Sequence, residues 1–330
     1  MFFLVETKMT HVKHHSHLLQ ASMSLRFFTL PKRINVLPSH TWLHTTRSRR
    51  AATRPLCSKM SFDSSPSTLT HSITLPIQLS QPVHVLAAPG LTETQFRNAI
   101  YSSLFKQWLH NLQTETGILA NGDMLLKQVL IQGVDMFGKR IGFLKFKADI
   151  FDKETGAKVP GIVFARGPAV AVLILLDSGG ETYAILTEQV RVPTGRVILE
   201  LPAGMLDDDK GDFVGAAVRE VEEEIGIHLN LDDMVDLTAF LDPSTGCRVI
   251  PSPGGCDEEI SLFMYKGSVD KEIIRQLQGK ETGLREHGEL IKVRVVPYQE
   301  LWRMTADVKV LTAICLYEMA SREGLLPSKT

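Results

Sequence analysis

The sequence predicts an α/β protein from about residue 70 onward, and three stretches carry that expectation. Ala169–Leu176 (AVAVLILL) is apolar at every position, as a strand buried on both faces would be. Thr182–Gln189 reads as its hairpin partner across the turn Asp177–Glu181 (DSGGE). Between Asp212 and Gly226, the residues Val214, Ala217, Val218, Val221 and Ile225 recur at helical spacing and form one apolar stripe.

The remaining elements follow in order. Ser72–Leu79 reads as a strand, Thr92 as a helix N-cap, and Ala99–Leu112 as helix, with Ile100, Leu104, Phe105, Trp108 and Leu112 at helical intervals. Trp108 is expected in the core rather than against a ligand. Lys127–Val134 and Ile141–Ile150 read as strands, followed by a turn at Asp152–Gly156. Val197–Leu201, Val235–Leu241, Ile260–Tyr265 and Ile291–Val296 are further strands. Tyr298–Arg303 and Lys309–Arg322 are helices, the second with Leu311, Ile314, Cys315 and Met319 facing inward.

Composition narrows the function classes. A chain of 330 residues with 44% hydrophobic content holds one or two domains. A net charge of −1 argues against nucleic-acid binding by bulk electrostatics. Cys57, Cys247, Cys256 and Cys315 are scattered, giving neither a disulfide framework nor a zinc site. The sequence has no apolar run of the roughly 18 residues a membrane span needs, so no membrane association is expected. The charge is uneven: residues 1–62 hold ten Lys or Arg against one acid, Glu6, and are rich in Ser, Thr and His. That is the composition of an organelle transit peptide, here assigned to residues 1–60 and to a plastid, with the mitochondrion as alternative. Residues 61–70 read as a linker, 71–159 as a strand-rich N-terminal part, and 160–330 as the main domain.

The chemistry concentrates in Arg219-Glu220-Val221-Glu222-Glu223-Glu224-Ile225-Gly226-Ile227. Glu220 and Glu224 are four residues apart and stack on one flank of the helix; Glu223 neighbours Glu220. Like charges at that spacing repel by a few tenths of a kcal/mol, about the size of a favourable pair with its sign reversed. A hard divalent cation such as Mg²⁺ takes oxygen ligands and reverses that sign. Most acidic runs on helices are merely solvated faces, and the flanking residues are what point elsewhere. Asp212 is a candidate N-cap, and Gly226 stands where a helix ends in a left-handed residue. Arg191, between a strand and a loop, could hold a phosphate bidentately or form a surface ion pair.

This stretch resembles the signature of the Nudix hydrolases, G-x5-E-x7-R-E-U-x-E-E-x-G-U, with U a bulky aliphatic residue. Gly204 opens it, and Arg219, Glu220, Val221, Glu223, Glu224, Gly226 and Ile227 fill its second half. Two departures stand out. The span from Gly204 to Arg219 is one residue longer than the pattern, and Lys210 takes the place of the first glutamate, after Asp207, Asp208 and Asp209. No role is assigned to those aspartates.

The resemblance implies a Nudix-type α/β/α sandwich on a mixed sheet, with an N-terminal strand-rich subdomain that helps form a homodimer. It implies metal ligation by Glu220, Glu224, Glu289 and the carbonyl of Ala203, with Glu223 orienting or sharing the metal. The general-base position falls on His287, with Glu286 adjacent. Pro243, sixteen residues beyond Ile227, resembles the family branch that hydrolyses ADP-ribose and ADP-sugars. So does Ser252-Pro253-Gly254-Gly255, which makes Ser252 and Glu258 candidate substrate contacts; Met205 and Arg191 are placed with them. Within that branch the chain looks nearest to chloroplastic ADP-sugar diphosphatases. The implied reaction is Mg²⁺-dependent hydrolysis of ADP-glucose or ADP-ribose to AMP and a sugar phosphate, with Mn²⁺ as a substitute metal. The alternatives are a dinucleotide or coenzyme A substrate, or a catalytically silent nucleotide-binding module.

Overall fold

The computed structural model describes residues 69–78, 81–206, 212–283 and 288–327. The expected transit peptide, most of the linker, Asp207–Lys210, Glu286 and His287 lie outside the described residues.

The first sheet is built from β1 (Thr70–Ile73), β2 (Val83–Ala87), β3 (Met124–Phe137), β4 (Arg140–Asp152), β5 (Lys158–Val159) and β6 (Ile162–Ala165). Its order is β1-β2-β3-β4-β5, with β6 also on β4, so it runs past the expected boundary at residue 159. The expected strand Ser72–Leu79 ends at Ile73 and gives way to a 3-10 turn at Pro76–Gln78; proline removes a ladder donor and fixes φ. β2 was not legible as a strand in the sequence. The expected single helix is two: α1 (Glu93–Tyr101) and α2 (Ser103–Asn111). Ser102 breaks it, donating to the Ala99 carbonyl at 2.7 Å and accepting from the Phe105 N–H at 3.2 Å. Thr92 caps α1 in a capping box with Gln95. Both helices cover one face of the sheet, where Phe96, Phe105 and Trp108 join Val85, Ile131 and Phe146 in one core. Trp108 is buried as expected, its ring 4.6 Å from that of Phe146.

The second sheet has the order β11-β12-β7-β8-β14-β13, with β10 on β7 and β9 on β8. Its strands are β7 (Ala169–Ser178), β8 (Glu181–Arg191), β9 (Arg196–Glu200), β10 (Ala203–Met205), β11 (Met234–Asp236), β12 (Ile260–Ser268), β13 (Glu281–Thr282) and β14 (Ile291–Pro297). β7 and β12 pair in parallel, while the other pairs are antiparallel, so the sheet is mixed. Alternation along β7 builds both cores. Ala171, Leu173 and Leu175 face α5 (Tyr298–Met304) and α6 (Val308–Arg322); Val172, Ile174 and Leu176 face α3 (Phe213–Glu224) and α4 (Lys271–Leu277). Each fully buried Leu or Ile side chain contributes about 1.5–3 kcal/mol. Helices on both faces of a mixed sheet make the α/β/α sandwich that the sequence predicts.

Two expectations are corrected. The strand Val235–Leu241 stops at Asp236, whose carboxylate accepts from the Thr238 N–H, the Thr238 hydroxyl and the Ala239 N–H at 2.9, 2.5 and 3.1 Å. That turn leads into a 3-10 segment at Thr238–Phe240. In α6 the inward residues are Val310, Ala313 and Ala320, not Leu311, Cys315 and Met319, which are exposed; Ile314 is half-buried. Small residues let the helix lie close on the sheet.

Candidate active site

α3 starts where the sequence predicts. Asp212 accepts from the Gly215 N–H at 2.8 Å. It ends at Gly226, whose φ of +75° suits glycine and whose N–H reaches the Glu222 carbonyl at 2.9 Å. With Val218 and Val221 buried, Glu220 and Glu224 fall on the flank that meets β10. Glu220 lies so close over Gly204 that a Cβ there would stand 1.9 Å from its carboxyl carbon. Gly204, in the middle of β10, therefore leaves the room that the carboxylate occupies.

Glu224 is 7% exposed. One carboxylate oxygen accepts from the Ala203 N–H at 3.0 Å and the other from the Gln189 side-chain amide at 3.1 Å. Burial pushes its carboxyl up to about 8 and the charge of Glu220 adds to that, while the two hydrogen bonds and Arg191 act in the opposite direction. The Thr282 hydroxyl donates to the Glu224 carbonyl, and the Lys280 ammonium reaches the Ile225 carbonyl at 3.2 Å. β13 is thereby tied to the end of α3.

These residues fit a hard divalent cation. A buried carboxylate that strains against ionisation, stacked beside a second one over a glycine cradle, gains most from a nearby positive charge. Among the described residues no three His, Cys, Asp or Glu side chains converge on a metal position, so Glu289 does not join Glu220 and Glu224 in a preformed cluster. The remaining ligands would come from backbone carbonyl, water and substrate oxygens, and from a carboxylate outside the pair.

The other expected residues have the following settings. Glu223 is exposed, and Arg219 is an exposed partner of Asp212 at 3.8 Å. Arg191 is engaged by Glu200 through two hydrogen bonds of 2.6 and 3.2 Å. Glu200 also accepts from Lys309 at 2.8 Å, and Lys309 reaches Asp307 at 2.9 Å. Burial pushes the Glu200 carboxyl up, but its two cationic partners outweigh that and hold it below the usual range. Met205 pairs opposite Ala169 at the end of β10. The exposed Ser252 accepts the Cys256 N–H at its carbonyl, 3.0 Å away. Glu258 pairs with Arg166 at 3.4 Å. Glu289 is exposed and lies just ahead of β14.

Sequence reading missed Gln189 and Asp257. Gln189 holds Glu224 from the strand β8; its only signal is alternation, two residues from the buried Thr187 on the same strand face. Asp257 accepts the N–H groups of Arg166 and Gly167 at 2.8 and 3.2 Å and so fixes the entry to β7.

Residues 165–313 match the NUDIX domain. Nudix hydrolase 14, chloroplastic, of Arabidopsis thaliana is 71% identical over 303 residues, which cover 92% of this chain and 97% of that protein. The chain belongs to the Nudix hydrolases. Two more distant relatives are each 30% identical to this Nudix hydrolase. One is the ADP-ribose pyrophosphatase of Bacillus subtilis (strain 168), over 49% of this chain and 76% of its own length. The other is the methanol dehydrogenase activator of Bacillus methanolicus, over 45% and 71%. Among the described residues of this Nudix hydrolase, no helix is long and apolar enough to cross a membrane.

Proposed function

We propose that this Nudix hydrolase splits the diphosphate bond of ADP-sugars, releasing AMP and a sugar phosphate, with Mg²⁺ held by Glu220, Glu224 and the Ala203 carbonyl. One observation carries the reading: a buried Glu224 stacked with Glu220 above Gly204. The bound cation would neutralise the diphosphate and acidify a water. This chain's own part is positioning. Ala203 and Gln189 fix both oxygens of Glu224, Gly204 gives Glu220 its place, and Glu223 orients or shares the metal ligation. Glu289 supplies a further metal ligand, and Glu286 or His287 the general base. Ser252, Glu258, Met205 and Arg191 contact substrate.

The ADP-sugar assignment is supported by Pro243, by the Ser252–Gly255 run, and by a relative named for ADP-ribose hydrolysis. A homodimer through the first sheet is supported by Ile162 and Phe164, exposed on the face away from α1 and α2. A plastid location, with residues 1–60 as transit peptide, is supported by their basic composition and by the chloroplastic relative.

The test is release of the adenosine product, AMP from ADP-glucose, ADP-ribose and a nicotinamide dinucleotide and adenosine 3′,5′-bisphosphate from coenzyme A, each with and without Mg²⁺. Both ADP-sugars should turn over fastest. Faster turnover of the dinucleotide or of coenzyme A would end the ADP-sugar assignment.

A further inference from the structure

A cavity of about 620 Å³ opens beside β10, within the size range of small-molecule sites. Its floor is Met205, Leu206 and the segment ending at Pro168. Its far walls are the junction of α1 and α2, including the 60% exposed Tyr101, and the turn between β3 and β4, which supplies Lys139 and Arg140. The third cation is Arg166, and no carboxylate belongs to the described lining.

Arg166 is held in place before any ligand arrives. Its backbone N–H is fixed by Asp257 at 2.8 Å, one terminal nitrogen reaches Glu258 at 3.4 Å, and the guanidinium lies 5.7 Å over the Phe143 ring. Its Nε is buried with no hydrogen-bond partner. A buried donor left unsatisfied costs about 1–3 kcal/mol unless something accepts from it. Two expected substrate contacts meet here: Met205 lines the cavity, and Glu258 braces Arg166. β10 and β7 run antiparallel, so the chain passes from Ala203 beside Glu224 to Leu206 beside Pro168. At about 3.3 Å per residue this puts the Met205–Leu206 side of the cavity about 7–10 Å along the strand from Ala203.

We infer that this cavity is a phosphate-accepting pocket, with Arg166 as its fixed donor and Lys139 as its mobile one. Arginine suits the fixed role because its planar fork binds a phosphate bidentately; lysine adds a point charge on a flexible stem. The phosphate belongs either to a nucleotide whose other phosphate lies at Glu220 and Glu224, or to a free phosphorylated small molecule. Only the first source rests on the diphosphatase reading.

The first arm needs no turnover. With divalent cations chelated, inorganic phosphate is titrated calorimetrically into the full-length protein. Binding should weaken about tenfold in Lys139→Glu and in Arg166→Gln and stay unchanged in Lys145→Glu, which lies outside the cavity. Lys139 is an exposed turn residue, so Lys139→Glu keeps the test valid even if Arg166→Gln fails to fold. No binding to the wild type, or equal binding in Lys139→Glu, overturns the inference. The second arm compares inhibition of ADP-ribose hydrolysis by AMP and by adenosine 3′,5′-bisphosphate. A stronger bisphosphate effect that vanishes in Lys139→Glu identifies a nucleotide as the source. Equal inhibition alongside phosphate binding identifies a free phosphate. Absence of ADP-ribose hydrolysis counts against the proposed function and leaves the titration to decide this one.

Discussion

Replacing Glu224 by glutamine should stabilise the metal-free protein while abolishing its activity. In the fold the Glu224 carboxyl is pushed from its ordinary 4.5 to about 8. A folded value above the unfolded one contributes stability that is complete below about pH 4.5 and lost as the pH rises through about 8. At 1.36 kcal/mol per tenfold, ionising this group at pH 8 costs the metal-free fold about 4 kcal/mol. Glutamine never ionises, but its single oxygen can accept from Ala203 or from Gln189 and not from both, which returns about 1 kcal/mol. The net gain at pH 8 is about 2–3 kcal/mol, shrinking towards zero at pH 5. Urea unfolding of both proteins with chelator at pH 5, 6.5 and 8 measures the gap, and subtraction removes the other titrating groups. Mg²⁺ should stabilise the wild type and have little effect on Glu224→Gln. A variant no more stable than wild type at pH 8, or a gap that does not widen with pH, would refute the reasoning about this burial. Persistent Mg²⁺-dependent AMP release would refute the metal role.

Gln189→Met keeps the volume and removes the donor to Glu224, so the Mg²⁺ needed for half-maximal activity should rise about 10–100-fold; calorimetric Mg²⁺ binding should weaken in parallel. Gly204→Ala places a Cβ against the Glu220 carboxylate and should cut turnover sharply, with circular dichroism unchanged. Lys309→Ala leaves Glu200 with one cation in place of two, and Asp307 with its partner gone; unfolding free energy should fall by about 2–4 kcal/mol. That loss should be clear by urea denaturation at neutral pH and smaller below pH 4, where carboxylates protonate.

The parts of the fold legible in the sequence are those fixed by local pattern. The unbroken apolar run of β7 and the stripe of α3 each announce their period, and Asp212 and Gly226 mark the helix ends by their own chemistry. Ser102 and Asp236 were opaque because a small polar residue inside an apolar pattern fits a helix or strand as readily as the turn it makes. In α6 the bulky residues attracted the inward assignment, whereas close packing on the sheet went to alanines. In the site, spacing revealed that Glu220 and Glu224 share a flank. It could not reveal that Glu224 is buried, because burial comes from β10 and β8 docking over it. The pairing of Arg191 with Glu200 is likewise a tertiary side-chain contact, since the ladder sets Arg191 opposite Arg196 and Glu200 opposite Thr187, and local sequence does not show it.

The two-faced apolarity of β7 leaves the strand itself with little preference for where it stops. A slip by one residue would exchange its two sets of side chains between the cores, and both cores would still receive aliphatic groups. Alignment must therefore be enforced at the strand's polar margin. There Gly179 and Gly180 adopt φ of +61° and +89°, and the Thr182 hydroxyl holds Asp177 at 2.5 Å. A surface hairpin far from Glu224 thus decides which residue of β7 lies beside Ala203, and lengthening that turn by one residue should disable the enzyme without touching its chemistry.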